Sequence, residues 1–197
     1  MIFAQNYDAP YSPDFENDSW TRHPLLEAAI KMMAVPDDLA VQVTIFSEVP
    51  PGASTGTSAA VTVALIGALD CLSPGRMAPH EVALAALRVE TELLGQQSGI
   101  QDQLCAAFGG VNYIEITRYP QASVSQLHVP DSTWWELERR LALIYLGRSH
   151  HSSRTHEMVI RSMANAGPDN AHLQELRTTA PRARGAIQAG DFPSLGQ

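Results

Sequence analysis

An α+β fold is what this sequence predicts, on three observations. Val41, Val43 and Ile45 alternate with Gln42 and Thr44, the period-two pattern of a half-buried strand. Three apolar, alanine-rich segments follow at Thr57–Leu72, Pro79–Leu94 and Ser98–Phe108, with Pro79, Gly95 and Gly109-Gly110 standing where helices start and stop. Val111–Ile116 and Ser123–Val129 then flank Arg118-Tyr119-Pro120 as the arms of a hairpin. Helices and strands in separate runs, not in strict alternation, give the α+β class.

The remaining elements follow in chain order. Met1–Arg22 is polar and mixed, carries Pro10 and Pro13, and is expected to be loop. His23-Pro24-Leu25 opens a helix with proline in its first turn and Leu25, Leu26, Ile30 and Met33 as its apolar stripe. Asp37-Asp38 makes a turn before the first strand. Leu141–Leu146 is expected to be a further apolar strand. The tail from Thr155 is helical, with breaks expected at Gly167-Pro168 and near Pro181. A boundary near Pro130–Glu138 divides the chain into domains at residues 1–135 and 136–197.

Composition narrows the function. A formal net charge of −8 argues against a nucleic-acid partner held on a basic surface. Cys71 and Cys105 lie far apart in apolar, helix-like runs and read as reduced core residues of a cytoplasmic protein. No apolar run is long enough to span a membrane, and the N-terminus lacks the basic and apolar regions of a secretion signal.

The chain is organised around Pro50-Pro51-Gly52-Ala53-Ser54-Thr55-Gly56-Thr57-Ser58-Ala59-Ala60. Two prolines stop a strand, small residues make a loop, and a long helix follows. The free N–H groups and the dipole at such a helix start favour a phosphate. The hydroxyls of Ser54, Thr55, Thr57 and Ser58 supply further donors, or oxygen ligands for magnesium. Taken alone, the loop fits a tight strand-to-helix turn with ordinary Ser/Thr capping better than a phosphate site. No Gly-Lys-Ser/Thr closes it, so it is not a Walker loop.

Two acids are placed unusually. In the helix from Pro79, residues Val82, Ala86, Val89 and Leu93 share one face, and Glu90 falls within about 40° of Ala86 on that apolar side. A carboxylate there needs a cation or a hydrogen-bond partner, unless it reaches past the edge to water. Asp102, early in the next helix, either complements the helix dipole or serves as a base. The polar stretch Gly147–Arg154, with His150 and His151, is a substrate neighbour or a solvated turn, and has no zinc-site spacing. No Gly-x-Ser-x-Gly elbow supports a hydrolase.

Three segments together resemble the GHMP kinases, the family of galactokinase, homoserine kinase and mevalonate kinase. The Pro50–Ala60 loop is similar to the family's phosphate loop. Glu90 followed by Gly99-Ile100-Gln101-Asp102-Gln103 is similar to its Glu-then-Asp arrangement. The third segment is Ala106-Ala107-Phe108-Gly109-Gly110-Val111-Asn112. The Gln101-Asp102-Gln103 and Phe108-Gly109-Gly110 pair, with Tyr145-Leu146-Gly147 beyond, is closest to the heptose-phosphate kinase branch. The resemblance implies a ribosomal protein S5 domain 2-like N-terminal part and the start of a ferredoxin-like C-terminal domain. It implies ATP-dependent phosphorylation of a sugar or sugar-phosphate hydroxyl. Pro51, Gly52, Ala53, Ser54, Thr55, Gly56, Thr57 and Ser58 would wrap the ATP phosphates, Ser58 and Glu90 would hold magnesium, and Asp102 would orient or accept the proton of the attacking hydroxyl.

Departures from the pattern set further expectations. Ser54 stands where the family usually has Gly, Thr55 where it has Leu, and Thr57 where it has Ser. The family's first strand and basic Gly-rich segment, and its C-terminal Gly-rich loop, have no counterpart in this reading, which makes the chain a fragment or a shortened relative. An exposed sheet edge and self-association are then expected. The alternatives are a non-catalytic nucleotide- or sugar-binding member of the fold, and an interaction domain whose loop merely caps a helix.

Overall fold

The computed structural model describes residues 1–4, 10–15, 20–36, 38–49, 53–72, 74–147, 152–164, 167 and 170–196. The chain divides into two compact units: residues 1–108 with 147–156, and residues 109–146 with 157–197. Residues 109–146, which include a hairpin, fall in the second unit.

The first unit begins with a strand where loop was expected. β1 (Ile2–Ala4) pairs in parallel with β2 (Val43–Ile45), Ile2 opposite Val43 and Ala4 opposite Ile45. Tyr11 bridges the other side of Ile2, with Ile2 N donating to Tyr11 O at 2.8 Å and Tyr11 N to Ile2 O at 3.1 Å. Three residues are too few for an alternating pattern to register, but both backbone groups of Ile2 are satisfied by Tyr11 and its side chain is buried in the core. β1 is thus the described sheet partner of β2. Between the two strands runs α1 (Pro24–Met33), started by Pro24 and stopped at Ala34 in the left-handed region.

Glu27 anchors this crossover. Its carboxylate is 2 % exposed, yet it accepts from the Tyr11 hydroxyl at 2.5 Å and from the backbone N–H groups of Thr21, Arg22 and His23 at 2.8, 3.1 and 2.9 Å. One acid thereby satisfies the entry to α1 and ties it to the N-terminal segment. Burial pushes the Glu27 carboxyl up, but the His23 N–H, the Tyr11 hydroxyl and the other N–H donors outweigh it and hold it below its ordinary 4.5.

α2 (Thr57–Asp70) packs against α1, α3 (Pro79–Arg88) and α4 (Gln101–Phe108). Its sequence is apolar almost all round because it is covered on several sides. Ile66, Ala86, Val89, Ile100 and Leu104 are fully buried around it. Cys71 and Cys105 are free thiols as read, but exposed and not in the core: Cys71 caps the end of α2, and Cys105 lies on the outer face of α4.

In the second unit, β3 (Asn112–Arg118) and β4 (Gln121–Gln126) form the expected hairpin, with Tyr113 opposite Ser125 and Ile114 opposite Val124. The stretch read as a boundary is α5 (Asp131–Arg140), its Glu136 paired with Arg139 and Arg140 at 2.6 Å each. Leu141–Leu146 forms no strand and joins no sheet among the described residues, and its side chains are exposed, Leu146 at 84 %. An apolar run becomes a strand only where an edge receives it. α6 (Ser152–Met163) belongs to the first unit as far as His156. α7 (Ala171–Ala189) carries Pro181 inside a continuous helix, so the expected break there does not occur. Arg182, Ala183 and Arg184 after Pro181, and Leu176, Arg177 and Ala180 before it, favour helix despite the one missing donor. The expected break at Gly167-Pro168 includes Pro168, which lies outside the described residues. α8 (Phe192–Leu195) closes the chain, capped by Asp191.

Candidate active site

α2 starts at Thr57, as the sequence indicated, and no side chain caps it. Its N-cap is Gly56 at φ +68°, in the left-handed region that favours glycine. A Cβ built on Gly56 would sit 3.4 Å from Cγ and Oδ2 of Asp102. That is ordinary contact distance, so the loop backbone lies beside the carboxylate, and it is the positive φ that calls for glycine here. Ser54 adopts φ +60°, a glycine-like conformation at the position where a Gly was the expected residue. Thr55 and Thr57 share a hydroxyl–hydroxyl hydrogen bond of 2.9 Å across the turn. Pro50, Pro51 and Gly52, the front of the loop, lie outside the described residues.

Glu90 lies in a distorted turn of its helix. The turn from Val89 to Leu93 is π-helical, with Leu94 N bonding to Val89 O at 3.1 Å and Gln96 N to Glu90 O at 2.9 Å. Such one-turn bulges recur at functional sites because they re-aim side chains without ending the helix. Glu90 is 5 % exposed. Its Oε2 accepts from the Ser98 hydroxyl and, at 3.0 Å, from Gln103 Nε2. Its Oε1 is buried with no hydrogen-bond partner among the described residues. Burial pushes the Glu90 carboxyl up; the Ser98 hydrogen bond opposes this, the charge of Asp102 adds to it, and Gln103 opposes it in turn, leaving the group raised above its ordinary value.

These groups meet in one cavity of about 410 Å³ within the first unit. Its walls include Ala53 to Ala59 of the loop and α2, Glu90, Ser98, Gln101, Asp102 and Gln103, with Ser153, Thr155 and His156 from the start of α6. Of the residues singled out from sequence, Ala53, Ser54, Thr55, Gly56, Thr57, Ser58, Glu90 and Asp102 therefore share a single space. Asp102 and Ser58 are exposed to it, whereas Glu90 is sunk in its wall. Of the polar stretch at 147–154, residues 148–151 lie outside the described residues, and the Ser153 hydroxyl accepts the Gln97 N–H at 2.9 Å.

Sequence reasoning missed Ser98, Gln103 and His156. Gln103 carried a usable signal: it stands between Ile100 and Leu104 on the buried face of α4, the same anomaly that marked Glu90. Ser98 and His156 sit in ordinary polar surroundings and carried none.

The arrangement offers uncapped helix N–H groups, hydroxyls and two carboxylates around one space. No group of three or more His, Cys, Asp or Glu among the described residues is arranged as a ready-made metal centre. A magnesium ion that is also held by substrate phosphates needs only one or two carboxylates from the protein, and the unpartnered Glu90 Oε1 fits that role.

The model of the GHMP kinases N terminal domain matches residues 24–110, the segment that holds α2, Glu90 and Asp102. Residues 24–110 are similar to a GHMP kinase N-terminal domain. Among relatives, a D-glycero-alpha-D-manno-heptose 7-phosphate kinase of Campylobacter jejuni is 27 % identical over 152 residues, 77 % of this chain and 44 % of that protein. A mevalonate kinase of Thermococcus sibiricus is 39 % identical over 89 residues, 45 % of this chain and 26 % of that protein. The chain thus spans less than half the length of these relatives. The crystal structure of a D-glycero-D-manno-heptose 1-phosphate kinase from Bacteriodes thetaiotaomicron superposes with a TM-score of 0.67 at 20 % identity, covering 98 % of this chain and 58 % of that one. The likeness of fold therefore extends past the GHMP domain into the second unit, and the α+β class holds. No described helix is long and apolar enough to cross a membrane.

Proposed function

We propose that the chain serves ATP-dependent phosphorylation of a hydroxyl on a sugar or sugar phosphate. The observation that carries this reading is the convergence of the α2 N-terminus, Glu90 and Asp102 on one cavity, with one Glu90 oxygen buried and unpartnered. The loop and the first N–H groups of α2 would receive the nucleotide phosphates. Ser58 and Glu90 would hold magnesium, which would neutralise charge on the phosphate oxygens. The acceptor oxygen forms the new bond to the γ-phosphorus, the bond to the β–γ bridging oxygen breaks, ADP leaves, and the hydroxyl proton passes to the Asp102 carboxylate. Gly56 matters here because its left-handed backbone shapes the turn that places the phosphate loop beside Asp102, as an in-line transfer requires.

The sugar-phosphate acceptor follows from the heptose-phosphate kinases among the relatives and structural neighbours. A cytoplasmic setting, where ATP is plentiful, and self-association through exposed apolar surface belong to the same reading. The test is turnover of the 197-residue chain with ATP, magnesium and a panel of hexoses, heptoses and their phosphates. Asp102→Asn should lower turnover by about 10²–10⁴-fold and change ATP affinity by no more than about twofold. Equal losses in both would remove Asp102 from the chemistry. ATP binding without turnover in the parent chain would leave the non-catalytic member of the fold as the answer.

A further inference from the structure

Glu90 does not meet the cavity as a free carboxylate. Both of its hydrogen bonds go to the same oxygen: Oε2 receives the Ser98 hydroxyl and Gln103 Nε2, and Oε1 receives nothing. Gln103 is itself 1 % exposed, and its Nε2 also lies 3.3 Å from Ser98 Oγ. The three groups form a closed ring in which Gln103 donates to Ser98 and to Glu90, and Ser98 donates to Glu90. The ring fixes the orientation of the amide, because the opposite one would turn the Gln103 carbonyl on the carboxylate. It also distinguishes two chemically equivalent oxygens. One is used by the protein; the other, on a residue that lines the cavity, is buried without a donor, as is the carbonyl oxygen of Gln103 among the described residues.

A carboxylate that binds a hard cation through one oxygen has this form, with its second oxygen held by neighbouring donors. A carboxylate serving only structure would be expected to have donors on both oxygens, as Glu27 has in the same unit, where Oε1 takes Tyr11, Arg22 and His23 and Oε2 takes Thr21. We propose that Gln103 is a positioning residue: with Ser98 it clamps Glu90 Oε2 so that Oε1 is presented to the divalent cation accompanying the nucleotide. This rests on the kinase reading above and assigns it a residue outside the metal and phosphate contacts.

The test separates cation binding from nucleotide binding. The affinity of the 197-residue chain for the non-hydrolysable analogue AMPPNP is measured by calorimetry in EDTA and again with Mn²⁺. The ratio of the two affinities is the coupling between cation and nucleotide. In the parent chain Mn²⁺ should tighten binding. Gln103→Met keeps the side-chain volume and removes donor and acceptor together. It should lower the coupling by about 10- to 100-fold, with affinity in EDTA and the melting temperature nearly unchanged. Ser98→Ala should act in the same direction, and Ser98→Thr, which keeps the hydroxyl, should restore the parent coupling. If Gln103→Met fails to fold, the two Ser98 variants decide the matter alone. Parental coupling in Gln103→Met or in Ser98→Ala overturns the proposal. So does an equal loss of affinity in EDTA, which would make the ring merely structural. A parent chain that binds AMPPNP equally well with and without Mn²⁺ also overturns it and leaves nucleotide binding standing. A parent chain that binds no AMPPNP removes the kinase reading as well.

Discussion

The two units of the chain are built very differently. In the first, Ala28, Ala29, Ile66, Ala83, Ala86, Val89, Ile100 and Leu104 are wholly buried, and buried polar groups are tied into networks. In the second, Ala186 is the one buried residue among those described, while Leu141, Leu143, Ile144, Leu146, Met158, Val159, Ile160 and Leu176 are exposed. Arg184 over the Tyr113 ring and Arg140 over the Phe192 ring, at 4.7 and 5.2 Å, take the place of a core. Every described wall of the candidate active site comes from the first unit. Functional groups that must be held to a fraction of an ångström are thus placed where packing leaves few alternatives.

The comparison breaks most sharply on large-to-small substitutions. Ile66→Ala in the first unit should cost about 2–5 kcal/mol of stability by urea titration, whereas Leu143→Ala in the second should change it by less than about 0.5 kcal/mol. Comparable losses would mean that the second unit shelters a core through Leu143.

A smaller effect is expected at Glu27. Glu27→Gln should cost about 1–3 kcal/mol, since a charged acceptor of four hydrogen bonds is weakened. The sign of its pH dependence follows from its lowered folded pKa. Its contribution is fully present above the unfolded value of about 4.3 and is lost as pH falls through the lower folded value. Melting temperature against pH from 6 down to about 3 should therefore fall more steeply in the parent than in Glu27→Gln. Parallel curves would show that Glu27 is not the acid that matters there.

The smallest effect concerns the loop. Ser54 holds φ +60° at an exposed position, so Ser54→Gly should relieve strain and leave stability unchanged or higher by up to about 1 kcal/mol. A marked loss would mean that the Ser54 side chain supports the loop.

Much of the first unit was legible in the sequence because its signals are local. The start of α2 follows from prolines, small residues and an apolar run, and Glu90 stood out as an acid among Ala86, Val89 and Leu93. What could not be read was long-range. β1 is three residues whose partner lies some forty positions away, so no pattern within Ile2–Ala4 announces the pairing with Val43–Ile45. The π-helical turn at Val89–Leu93 is likewise a product of packing. In the second unit, Leu141–Leu146 carries a strand's composition without a strand's partner, and composition alone cannot tell the two apart.

The central claim is that the Glu90 and α2 cavity takes a nucleoside triphosphate together with a divalent cation. It is tested most directly by titrating the parent chain and Glu90→Gln with ATP, each with and without magnesium. The parent should bind ATP, and magnesium should tighten that binding. In Glu90→Gln the magnesium effect should vanish while metal-free binding persists. Binding of ATP that magnesium leaves unchanged in the parent, or a full magnesium effect in Glu90→Gln, would contradict it.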